Sequence, residues 1–224
     1  MIVAEWKKIP EIKQMLAGCS RVLVVGCDGC VKVCLTGGER ETDTMAAALR
    51  MAFRVDGNRL ETKQITIKRQ CDDEFIDPII SMADDCDAVL SMACGVGVQL
   101  MAERFDVPVL PAQNTTFLGV LNEKDVFVEE CLGCGLCELG QFGAICPVTR
   151  CSKNLLNGPC GGSSEGKCEI DPDIDCAWQQ IYDRLKKLGK LDQLAAFVPP
   201  KDWTTSRDGG PRKIVREDIK LEKR

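Results

Sequence analysis

Along its first half the chain alternates short aliphatic runs with stretches whose apolar positions recur every three or four residues. That alternation predicts a parallel sheet covered by helices. Ile12 and Met15 mark a short helix over residues 10–16, and Arg21-Val-Leu-Val-Val25 reads as a buried strand stopped by Gly26. Met45, Leu49 and Phe53 share one face of a helix over residues 42–53. A second strand is expected over 64–69, then a helix over 74–83 broken near Pro78. A third strand over 87–92, a helix over 96–105 and a fourth strand over 107–110 complete the pattern. The expected fold is α/β: a small doubly wound parallel-sheet domain spanning residues 1–127.

Beyond residue 127 the apolar periodicity stops. Residues 128–176 are rich in cysteine and glycine, and such a segment needs something other than an apolar core to order it. One amphipathic helix is clear over 176–188, with Trp178, Ile181, Leu185 and Leu188 on a stripe and Gly189 as its stop. Residues 128–198 therefore form a cysteine-rich, ferredoxin-like segment plus a helix. Residues 199–224 read as an extended tail with eight basic side chains (Lys201, Arg207, Arg212, Lys213, Arg216, Lys220, Lys223, Arg224) against five acidic ones (Asp202, Asp208, Glu217, Asp218, Glu222). The expectation for this tail is an arm that orders on a partner, with Trp203 and Ile214 as apolar anchors.

Composition narrows the chemistry. The 224 residues carry a formal net charge of −5, which argues against phosphate-driven binding of nucleic acid. There is no histidine, so Ser-His-Asp catalysis, Cys-His nucleophile pairs and imidazole-bound zinc are excluded. Fifteen cysteines stand against that absence. Charged residues near the start, where a secretory leader would be apolar, and the lack of a long apolar run predict a cytoplasmic protein with no membrane span. In a reducing compartment so many thiols favour metal binding over disulfides.

The cysteines fall into two constellations. Cys27, Cys30 and Cys34 follow the first strand at C-x2-C-x3-C spacing, at the end of an open sheet where ligands bind. Cys71 follows the second strand and Cys94 the third. Four thiolates complete one [4Fe–4S] cluster or one zinc ion. The expected set is Cys27, Cys30, Cys34 and Cys94, with Cys71 as the alternative fourth ligand. Cys19 and Cys86 read as small core residues. Cys131, Cys134 and Cys137 form the C-x2-C-x2-C opening of a bacterial ferredoxin run, in which glycine turns backbone amides toward the sulfurs. The next cysteine, Cys146, precedes proline as in that run but lies eight residues on. Cys151, Cys160 and Cys168 follow, so the cysteines from 131 to 176 suffice for two clusters, or for one with thiols to spare. Two clusters in the whole chain are expected, three if all of these thiols ligate, with zinc as the alternative at one site.

The strings CLGCGLCELGQFGAICPVTRCSKNLLNGPCGG, GKCEIDPDIDCAWQQIYDRL and DWTTSRDGGPRKIVRED, together with GCDGCVKVC after the first strand, resemble the methylenetetrahydrofolate reductase C-terminal domain family. Standalone members are similar to a small accessory subunit of the flavin-bearing catalytic subunit in one-carbon metabolism. The resemblance implies a heteromer whose iron–sulfur subunit passes electrons between an external donor protein and FMN on its partner, where the reduction itself takes place. It implies cluster ligands at Cys27, Cys30 and Cys34, and at Cys131, Cys134, Cys137 and later cysteines. Two other readings compete: a zinc-stabilised module that only positions the catalytic subunit, and a self-contained α/β enzyme using a flavin or corrinoid at the strand rim.

Overall fold

The computed structural model describes residues 1–122 and 126–215. The chain divides into two compact units, residues 1–117 and Leu118 onward.

In the first unit, β1 (Ile2–Trp6) and α1 (Ile9–Met15) precede β2 (Arg21–Cys27), the short α2 (Cys30–Val33) and α3 (Glu39–Val55). There follow β3 (Glu61–Ile67), α4 (Asp73–Ile76), a 3-10 stretch (Asp77–Ala83), β4 (Ala88–Ser91), α5 (Gly95–Ala102) and β5 (Val109–Pro111). Four strands make a parallel sheet in the order β3-β2-β4-β5. Strand order reverses at β2, as the doubly wound pattern requires. Alternate residues of β2 face opposite ways. Val22 and Val24 pack with Ile12, Leu16, Met45, Leu49 and Phe53, whereas Leu23 and Val25 pack with Ile76, Ile79, Met101 and Phe105. Each fully buried aliphatic side chain contributes about 2 kcal/mol of hydrophobic stabilisation.

Expected and observed elements differ at identifiable places. The second strand begins at Glu61 rather than residue 64, because Glu61 pairs with Arg21 at the start of β2. Lys68 and Arg69 consequently leave the sheet and lead into the loop carrying Cys71. The break expected near Pro78 falls at Asp77, where α-helix gives way to 3-10 turns because proline lacks the N–H the helix needs. β1 was not expected from the pattern. Nor were β6 (Gln113–Leu121), which pairs with β1, and β7 (Phe127–Cys131), which lies antiparallel to β6.

The second unit has little regular structure: α6 (Pro147–Arg150), α7 (Ala177–Lys187) and 3-10 turns at Leu191–Ala195, Trp203–Thr205 and Arg207–Gly209. Its core is one small cluster of Phe142, Trp178, Ile181, Leu185 and Val198. Phe142 meets Trp178 edge-on at 5.6 Å, and Trp178 Nε1 donates to Leu155 O at 3.1 Å. The amphipathic helix is where the sequence puts it. Residues 201–212 do not run free: they lie on the turn through Gly133–Glu138, as described below. Arg216, Lys220, Lys223 and Arg224, with Glu217, Asp218 and Glu222, lie outside the described residues. Among the described residues no helix is long and apolar enough to cross a membrane.

Candidate metal centres

In the first unit the sheet brings its cysteines to the carboxyl ends of β2, β3 and β4. Cys27 closes β2, Cys30 opens α2, and Cys34 follows it, while Cys94 precedes the first turn of α5. Cys27, Cys34 and Cys94 are buried; Cys30 and Cys71 are exposed. Burial pushes the Cys27 thiol up, and the neighbouring charges of Cys71 and Cys94 push it further, against backbone N–H bonds from Gln70 and Gly29. Cys27 and Cys94 also pack in one cluster with Val31 and Ala93. Burial likewise raises Cys34, Cys30 adding to it, and Cys34 Sγ lies 3.4 Å from Ile2 O. Packing thus brings Cys27 and Cys94 together, while Cys71 acts on Cys27 and Cys30 on Cys34 through charge.

Gln70 locks this rim. It is fully buried, and its Nε2 donates to Val25 O at 2.8 Å and Gly26 O at 3.1 Å. Ser91 Oγ donates to its Oε1 at 2.6 Å and accepts from Ala93 N. Gly97 packs so close that an added Cβ would lie 2.8 Å from Gln70 Cβ and 2.9 Å from Ala93 Cβ. Gln113 is a second buried amide, donating to Thr36 O and Met92 O. Its Oε1 has no partner among the described residues. Neither glutamine was singled out from the sequence, which marks polar residues as core only when their partners are known.

In the second unit one cavity is lined by four thiols, Cys151, Cys160, Cys168 and Cys176. A hairpin-like stretch builds half of it: Ser164 bridges Lys167, Lys167 bridges Asp175, and Cys176 N donates to Gly166 O at 2.8 Å. Gly162 N lies 3.4 Å from Cys160 Sγ. The Ser152 hydroxyl, then the amides of Ile170 and Asp171, hold Cys168 below the usual thiol range. Lys153 pairs with Glu169 beside Cys160 and Cys168. Cys176 was passed over in the sequence, because the pattern of α7 absorbs it as a helix start. Its signal is arithmetic: it is the fourth thiol of the set that begins at Cys151.

The C-x2-C-x2-C run forms a separate turn. Gly133 N lies 3.3 Å from Cys131 Sγ, and Cys134 Sγ donates to Leu136 O at 3.5 Å. Gly135 must be glycine here: its φ is +88°, and a Cβ would lie 2.2 Å from Thr205 O. Cys146 stands just before α6, with Sγ 3.5 Å from Thr149 Oγ1. Arg150 ties the two cysteine sets together. Its Nη1 donates to both oxygens of Glu130, beside Cys131, at 2.8 Å, and its Nη2 donates to Gln180 Oε1 on α7 at 2.9 Å.

Among the described residues no three cysteine, aspartate or glutamate side chains converge at metal-holding distance. The donors suit an iron–sulfur group in kind: four thiols line one cavity, and the amides of Gly133 and Gly162 lie against the sulfurs of Cys131 and Cys160.

Residues 110–204 match the family described as "Methylene-tetrahydrofolate reductase C terminal". The match covers the second unit's cysteine-rich segment. No curated protein and no solved structure matches the chain.

Proposed function

We propose that the chain is an iron–sulfur electron-transfer subunit of a methylenetetrahydrofolate reductase. It relays electrons between an external donor protein and FMN held by a flavin-bearing catalytic subunit. The observation that carries this reading is the cavity lined by Cys151, Cys160, Cys168 and Cys176; Cys131, Cys134 and Cys137, with Cys146, would make the second set. Eight thiols make two sets of four, and a [4Fe–4S] cluster takes four. Cys27, Cys30 and Cys34, with Cys94 or Cys71, would hold a further cluster in the first unit.

Bound there, a [4Fe–4S] cluster supplies reversible one-electron storage. The chain's own residues do the rest. The amides of Gly133, Gly162, Ile170 and Asp171 direct partial positive charge at sulfur, which favours the charge gained on reduction. Arg150 fixes the spacing of the two sets through its forked bond to Glu130 and its bond to Gln180.

The test is metal content of full chain purified without oxygen. The Cys176→Ser variant should carry about four iron and four sulfide fewer than the parent, since one cluster holds four of each. Cys19→Ser should change neither. A parent chain with zinc and no sulfide overturns the reading in favour of a structural module. Equal iron in Cys176→Ser and parent overturns the four-thiol assignment.

A further inference from the structure

The segment after the last 3-10 turn of the core carries two cations onto the C-x2-C-x2-C turn. Lys201 is the more unusual. Its side chain is 1% exposed, and Nζ donates to Leu136 O, the carbonyl that also accepts from the Cys134 thiol. Its carboxylate neighbour is Glu138, at 3.9 Å, and the Trp203 ring lies 6.0 Å away. Taking an ammonium out of water is costly unless negative charge or good acceptors surround it. One carbonyl and a carboxylate at the limit of pairing distance are meagre compensation.

Around Lys201 the segment is internally braced. Asp202 Oδ1 accepts from Thr204 N at 2.9 Å, and buried Ser206 donates to Trp203 O and accepts from Asp208 N. Thr205 Oγ1 donates to Cys134 O at 2.9 Å, and Arg212 Nη1 donates to Gly133 O at 2.5 Å and Thr205 O at 3.3 Å. Three successive parts of the ligand turn, Gly133, Cys134 and Leu136, thus have carbonyls tied to this one segment. Gly135 between them leaves no room for a side chain against Thr205.

We propose that residues 201–212 are a clasp on the cysteine turn, and that Lys201 and Arg212 are positioning residues that raise the reduction potential of the cluster ligated there. The inference rests on the reading of that turn as a cluster-binding loop. A [4Fe–4S] core together with its four thiolates carries net negative charge, and one more electron adds to it. A desolvated ammonium at Leu136 stabilises the more negative state more than the less negative one. The same arrangement answers the cost of burying Lys201, because the missing counter-charge is the ligated loop.

The experiment is a potentiometric titration with dithionite, followed by electron paramagnetic resonance, on full chain purified without oxygen. Cys134→Ser first identifies the signal belonging to this turn, as the one it abolishes. Lys201→Met should keep iron and sulfide content and shift that signal alone. The reduced-to-oxidised ratio at a fixed potential should fall about tenfold, equivalent to a midpoint lower by about 59 mV for one electron. Lys201→Arg should restore it. An unmoved midpoint in Lys201→Met with full iron content overturns the proposal, as does an equal shift in Lys201→Arg. If Lys201→Met loses iron, Arg212→Met on the exposed arginine decides instead: a fall in that midpoint supports the clasp, and no shift overturns it. A parent chain without iron and sulfide fails the electron-transfer reading itself, which is a separate result.

Discussion

The two units hold cysteines in opposite ways. In the first, Cys27, Cys34 and Cys94 sit buried on the end of a sheet that is already packed on both faces. In the second, no cysteine is fully buried, and a single five-residue cluster anchors a segment with scarcely any regular structure. The first unit is a fold that carries thiols; the second is a set of thiols that needs a fold. The difference teaches where ligation would matter most to stability on the proposed reading: in the unit whose packing supplies least.

The sharpest way to break this contrast is to remove metal. Stripping any bound metal from full chain with ferricyanide and chelator should speed exchange at the amides of residues 131–176, while those of β2 and β4 keep their protection, as hydrogen–deuterium exchange reports. Loss of protection in both units, or in neither, would erase the distinction.

A smaller effect is expected from cavities. Leu90→Ala and Ile181→Ala each empty a fully buried site and should cost about 3 kcal/mol. The first unit should survive its loss as a cooperative fold, because two large clusters flank the sheet. In the metal-free chain Ile181→Ala should leave no melting transition from the second unit at all. Calorimetry of both variants distinguishes the outcomes, and a residual transition there would mean that the small core suffices.

The smallest effect is a difference in acidity. Cys168 is held below the ordinary thiol range and Cys27 above it. A lowered thiol pKa means thiolate at lower pH, so in metal-free protein iodoacetamide should label Cys168 first as pH rises, and Cys27 only at higher pH. Peptide mass spectrometry gives the order. The reverse order would overturn both the burial that raises Cys27 and the contacts that lower Cys168.

How much of this was legible beforehand follows from burial. Strands covered on both faces announce themselves, so β2 and β4 were read as aliphatic runs, and the Met45–Leu49–Phe53 stripe marked α3. β6 did not, because only Gln113 and Gly119 of its nine residues are buried and its pairing rests on backbone bonds. Spacing exposed Cys131, Cys134 and Cys137 as a group. It could not say that Cys176 comes back to Cys151, since that return depends on the Ser164–Lys167–Asp175 bridges. The clasp was equally hidden: a charged stretch with two glycines reads as a tail until its partner carbonyls are known.

Gln70 decides what the first unit can admit. The place where strand order reverses is the ordinary doorway for a small molecule in a sheet of this kind. Here the doorway is walled from within. One amide spans Val25, Gly26 and Ser91, and Gly97 closes against its flank. A nucleotide or flavin seeking that threshold would have to evict a side chain whose every polar atom is already engaged. In this chain the doubly wound sheet serves as masonry, with sulfur on its outer ledge.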